Sequence, residues 1–102
     1  MSNSWKNFNK LIEYPKSGVL SKVLYKTDKI DVTLFCLAKG TEISEHTSTK
    51  KGLVLVLEGR GTFILLGEKI KMLPGVMIFM KKNAVHSLKS SDNTTFILIL
   101  YK

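Results

Sequence analysis

The chain has 102 residues, 44% of them hydrophobic, and a formal net charge of +8. That length suits one domain with a single core, and that composition excludes a disordered chain. The longest apolar runs, residues 53–57 and 96–101, have strand length and are too short for a membrane helix.

A single cysteine, Cys36, leaves no intrachain disulfide and no four-cysteine zinc site. The first residues are polar and charged where a secretion signal needs an apolar stretch, so a cytoplasmic protein is expected. The basic excess, 16 Lys and Arg against 8 Asp and Glu, is all lysine apart from Arg60. The lysines are scattered, with no run longer than Lys50-Lys51 or Lys81-Lys82. This pattern reads as a solvated surface, and neither a nucleic acid nor a membrane is expected as a partner.

Residues 1–18 read as an N-terminal arm, with Phe8, Leu11, Ile12 and Tyr14 as apolar contacts. Pro15 and Gly18 end it early, so an edge segment is expected rather than a helix. From Val19 to the end, residues 19–102, the pattern is that of strands. Residues 19–26 form the first. Residues 30–38 form the second, with Ile30, Val32, Leu34 and Cys36 sharing one face. Gly40 breaks the chain before a strand that holds His46, and residues 51–57 are apolar on both faces. The turn at 58–61 leads into residues 62–66, and Gly67-Glu68 marks a tight hairpin into residues 69–73. Pro74-Gly75 precedes a strand at 76–80, a polar loop at 81–83 precedes 84–88, and residues 94–101 close the chain. Nine short strands at even spacing, with no amphipathic helix, indicate an all-β sandwich or barrel.

The two histidines, His46 and His86, each sit in a glycine-punctuated strand-turn-strand block. The two blocks lie about forty residues apart, which fits two antiparallel modules packed together with both rings reaching one cavity. In these residues the chain resembles the cupin superfamily. Gly40, His46 and Gly59 match the first cupin motif, with residues 54–59 similar to its usual ending, and Gly75 and His86 match the second. Ser48 stands where the first motif has its second histidine, and Gly52 where it has its glutamate. In the second motif Lys81 replaces a proline, Asn83 a glycine and Ser90 an asparagine. Asparagine tolerates the left-handed turn that a glycine would make there. The resemblance implies a single-domain jelly-roll β-barrel. Of the three histidines and one glutamate that cupin metal sites take, it retains two positions.

Two imidazoles alone hold metal weakly, so no cofactor is assigned beyond a loosely held divalent Zn, Ni, Fe or Cu on His46 and His86. Glu42 shares strand parity with His46 and is the candidate third ligand, whereas Glu45 has the opposite parity. Cys36, on an alternating apolar strand, reads as core. Without metal, His46 and His86 are either hydrogen-bonded residues of the barrel wall or polar handles of an apolar pocket, with Ser48 and Val56 beside them. Ser48 lacks the oriented partners of a nucleophile. Met72, Met77, Met80 and Phe79 read as packing beneath the sheet.

With Val54 and Val56 facing inward, Leu53, Leu55 and Leu57 face outward and need covering, which predicts a homodimer through a sheet face or edge. The function expected is a small cupin-like protein that binds a small molecule through a degenerate two-histidine site. The alternative is a metal-dependent cupin enzyme, a dioxygenase, isomerase or epimerase.

Overall fold

The computed structural model describes residues 4–102, so the first three residues of the expected arm lie outside the described part. Nine strands follow a single 3-10 turn at Phe8–Leu11. They are β1 (Val19–Lys26), β2 (Ile30–Leu37), β3 (Glu42–His46), β4 (Lys51–Glu58), β5 (Gly61–Leu65), β6 (Glu68–Met72), β7 (Met77–Met80), β8 (His86–Ser90) and β9 (Thr94–Tyr101). They form a five-stranded sheet, β1-β2-β9-β4-β7, and a four-stranded sheet, β3-β8-β5-β6. All the recorded strand pairs are antiparallel. The two sheets face each other as a jelly roll, and among the described residues no hydrogen-bonded ladder joins one sheet to the other.

Alternation sorts the side chains. Leu37, Val54, Val56, Phe63, Met72, Ile78, Met80, Leu88 and Phe96 make the core between the sheets. The other face of the larger sheet carries a second cluster of Leu34, Cys36 and Ile97. The arm covers this second cluster with Phe8, Leu11, Ile12 and Tyr14, and the covered ground includes Leu55 and Leu57. The arm therefore lies across a sheet face, with one 3-10 turn whose Asn7 side chain accepts from Asn9 N at 3.1 Å. It does not run as an edge segment. Its anchor is the Tyr14 hydroxyl, which donates to Glu58 Oε2 at 2.5 Å and lies 2.6 Å from Thr95 Oγ1. Two of the three outward leucines are thus satisfied within the chain, and Cys36 is buried beside them as core.

Two further expectations change. On β7, Ile78 and Met80 point inward, whereas Met77 is 51% and Phe79 67% exposed. Side chains alternate between the two faces of a strand, and the described arm residues Phe8, Leu11, Ile12 and Tyr14 pack elsewhere on the sheet. The hairpin between β5 and β6 turns on Leu66 and Gly67, one residue earlier than expected, and gives Leu66 a φ of 50°.

Candidate functional site

His46 and His86 are direct cross-strand partners at the β3–β8 pairing. Their ring centroids lie 4.0 Å apart, with the ring planes inclined at 63°. Local chemistry brings them together. Asn83 adopts φ 63°, the left-handed turn that asparagine accepts, and its N–H donates to Ser48 O at 2.7 Å. That bond ties the loop after His46 to the loop before His86.

The β3 strand carries a register shift between Ile43 and His46, where Ser44 and Glu45 together oppose Ser87. Such a bulge moves every later residue to the opposite face. Ile43 and His46 therefore both face inward, opposite Leu88 and His86. Glu42 does not share the side of His46. It is exposed and lies 3.5 Å from Lys89 Nζ, so the parity argument for Glu42 as third ligand fails at the bulge. Glu45 is exposed as well.

The rings open onto an apolar cavity of about 140 Å³ between the sheets. Phe35, Phe96 and Leu98 line it from β2 and β9, and Val54 and Met80 from β4 and β7. Ile43, Phe63 and Leu88 complete the wall from the smaller sheet. Phe35 and Phe96 stack at 5.1 Å, and Phe63 stacks on His86 at 5.7 Å with the rings nearly parallel. His46 is exposed at the mouth, while His86 is buried at 7% exposure.

Neither Ser48 nor Val56, expected beside the histidines, lines the cavity. Ser48 lies beyond the end of β3, where its hydroxyl accepts from Lys50 N at 3.1 Å. Val56 is buried two residues further along β4, bonded through its N–H to Val76 O, and Val54 occupies the cavity position instead. The aromatic walls were legible only as core residues in the sequence. Strand parity placed them inside without saying which of them leave space.

The hydrogen bonds fix the state of the rings. Nδ1 of His46 lies 2.9 Å from Ser44 O, and Nδ1 of His86 lies 2.8 Å from Ala84 O. A carbonyl only accepts, so Nδ1 carries the proton in each neutral ring and Nε2 presents a lone pair. For His86 the pKa is pushed below its usual value, first by burial and then by neighbouring His46, against the bond to Ala84 O, which raises it. The buried ring is therefore a neutral acceptor near neutral pH.

A family model described as the cupin domain matches residues 33–101. The chain belongs to the cupin domain family. A cupin superfamily protein from Desulfitobacterium hafniense superposes with a TM-score of 0.88 at 23% identity, over 99% of this chain and 93% of that one. A conserved protein of unknown function from Streptococcus pyogenes gives a TM-score of 0.87 at 22% identity, over 100% and 90%. A cupin 2 conserved barrel domain protein from Leptotrichia buccalis gives 0.87 at 26% identity, over 95% of this chain and 47% of that one. No curated protein matches the chain.

Cupins often bind metals, and the donors present here meet half of the usual set. Among the described residues, no group of three His, Cys, Asp or Glu side chains comes together. At Gly52, where the motif carries its glutamate, an added Cβ would lie 2.7 Å from Met80 Cε. The methionine tip fills the place of the missing carboxylate stem. The residues of this cupin therefore do not fit the four-ligand centre of the family.

Proposed function

We propose that this cupin binds a small, mostly apolar molecule that offers one hydrogen-bond donor to the histidine pair. The observation that carries the reading is the tethering of both Nδ1 atoms, which leaves Nε2 acceptors at an otherwise apolar cavity. A cavity of about 150 Å³ lined by apolar side chains holds a benzene-sized ring, so a ligand of that class fits here. The aromatic walls supply contact area, and a ligand O–H or N–H donating to Nε2 supplies orientation.

Phenol, benzene and benzoate are the probes. Phenol is expected to bind more tightly than benzene, and benzoate, which only accepts, to be excluded near neutral pH. Unchanged phenol affinity in a His46→Ala, His86→Asn double variant overturns the reading.

One observation favours a second reading. A histidine whose Nδ1–H is held by a carbonyl has the tautomer and orientation of a metal ligand through Nε2. A loosely held divalent Zn, Ni, Fe or Cu on His46 and His86 would make this a metal-dependent dioxygenase, isomerase or epimerase. Elemental analysis of the purified protein separates the readings. Stoichiometric metal that is lost on replacing either histidine promotes the enzyme, and protein that ignores added Zn, Ni and Fe removes it.

We further propose a cytoplasmic homodimer. No helix among the described residues is long and apolar enough to cross a membrane. The eight-residue edge strand β1 exposes Val19, Val23 and Tyr25, and its lysines Lys22 and Lys26 already face Glu13 and Asp31. An apolar edge with paired charges is a template for a second copy. A monomer by light scattering at micromolar concentration removes that assembly.

A further inference from the structure

A second recess lies on the outer face of the larger sheet. The pairing register sets Tyr101 of β9 beside Lys51 of β4, and Leu53 of β4 beside Phe79 of β7. Lys51, Phe79 and Tyr101, with Met80, Lys81 and Lys82, line a cleft of about 440 Å³. Phe79 is exposed at its edge, and Lys51 Nζ stands 5.9 Å from the centre of the Tyr101 ring.

Most lysines have no ion pair among the described residues, and three of them converge on this cleft. Lys22, Lys26, Arg60 and Lys89 each have a carboxylate partner. Among the described residues no ion pair engages Lys51, Lys81 or Lys82. Three uncompensated ammonium groups around two aromatic side chains form a site complementary to an anion that carries a flat ring. A second copy of the chain seated here by two-fold symmetry would bring like charges together, which argues against self-association at this face. Phe79, Lys81 and Lys82 are near neighbours in the chain, and strand pairing brings Lys51 and Tyr101, fifty residues apart, beside them.

We propose that this cleft binds a nucleotide-sized ligand, with its ring against Phe79 and Tyr101 and its phosphate among Lys51, Lys81 and Lys82. The cleft shares Met80 with the histidine cavity but opens on the other face of the larger sheet. On β4, Lys51 and Leu53 face outward, while buried Gly52 and Val54 face the interior between the sheets.

The test is titration of the full chain with adenosine monophosphate at low salt, followed by calorimetry or by amide shifts of residues 79–82 and 101. Adenosine, inorganic phosphate and a short single-stranded oligoadenylate are run alongside. Adenosine monophosphate is expected to bind more tightly than adenosine or phosphate, and to weaken as salt is raised. Phe79→Ser is expected to lower the affinity on the order of tenfold, the usual loss when a stacked base loses its aromatic partner. Lys51→Gln with Lys81→Gln is expected to lower it several-fold and to flatten the salt dependence. All three positions are exposed, so unchanged melting temperatures check that the variants fold. The histidine double variant should bind adenosine monophosphate as the parent does, which keeps this outcome distinct from failure of the histidine site. Binding no tighter than that of phosphate, or insensitivity to Phe79→Ser, overturns the proposal. An oligonucleotide that binds far more tightly than the mononucleotide overturns it in favour of a nucleic-acid surface.

Discussion

Replacing Tyr14 with phenylalanine removes one oxygen from the contact that fastens the arm to the sheet. That oxygen donates to Glu58 and touches Thr95, whose own side chain is 0% exposed and whose other partner is Cys36 Sγ at 3.8 Å. The Glu58 carboxylate is exposed and rehydrates freely, whereas Thr95 is left with a weak sulfur acceptor. A lost hydrogen bond to a charged group, together with a poorly satisfied buried hydroxyl, costs about 1.5–3 kcal/mol.

The ionisation of Tyr14 adds a pH dependence. Burial first, and then the bond to Glu58, push its pKa up from 10.0 to about 12. That displacement corresponds to about 2.7 kcal/mol before screening. Tyr14 is only half-buried and Glu58 is in solvent, so roughly 1–2 kcal/mol survives. The sign follows from proton counting. Below pH 10 the folded and unfolded chains both hold the phenolic proton, and the stabilisation is complete. Between pH 10 and about 12 the unfolded chain releases it first, so stability falls as pH rises through that window.

Thermal and urea unfolding of the parent and Tyr14→Phe proteins at pH 7 and across pH 9–12 reads both quantities. The variant should melt roughly 6–24 °C lower at pH 7, since 1 kcal/mol moves the midpoint by about 4–8 °C in a domain of this size. It should also lack the part of the alkaline decline that Tyr14 causes. Melting within about 2 °C of the parent, well under what 1 kcal/mol produces, refutes the role of Tyr14 as the fastening of the arm.

Gly59 adopts φ +101°, and a Cβ there would collide with the carbonyl of Asn93 and the backbone of Thr94. Gly59→Ala is expected to cost more than about 3 kcal/mol and to abolish soluble expression, because neither the backbone angle nor its neighbours can give way. Phe63→Ala should cost about 3–5 kcal/mol and enlarge the cavity beside His86, and calorimetry with a larger ring such as naphthol should then detect binding that the parent lacks. The depressed pKa of His86 predicts full stability above about pH 6.5, the unperturbed value. Stability should fall as pH drops through the lower folded value, because the unfolded chain takes up the proton first. Urea midpoints across pH 4–8 should show this decline in the parent and less of it in His86→Asn.

The turns were legible because glycine, proline and asparagine act over one or two residues. Nine strands were placed to within a residue or two by such signals together with period-two alternation. The left-handed turn at Asn83 and the meeting of the two histidines were anticipated as well. The face that each residue occupies was less secure. One extra residue in β3 reverses parity after Ile43, so His46 faces inward while Glu42, before the bulge, faces outward. Nothing in the composition of that segment announces a bulge.

The amino-acid order by itself determined the strand succession, the two facing sheets, the family, and the pair of histidines as the polar points of the interior. These depend on local propensity and on spacings within one or two strands. Tertiary structure decided that Val54, rather than Val56, lines the cavity, and that Met80 fills the space beside Gly52. It also decided that the arm covers Leu55 and Leu57, and that Phe79 joins Tyr101 and three lysines on an uncovered face. Each of these depends on contact between segments far apart in the chain. Such contacts are fixed by how the sheets fill space together, which no short window of residues encodes.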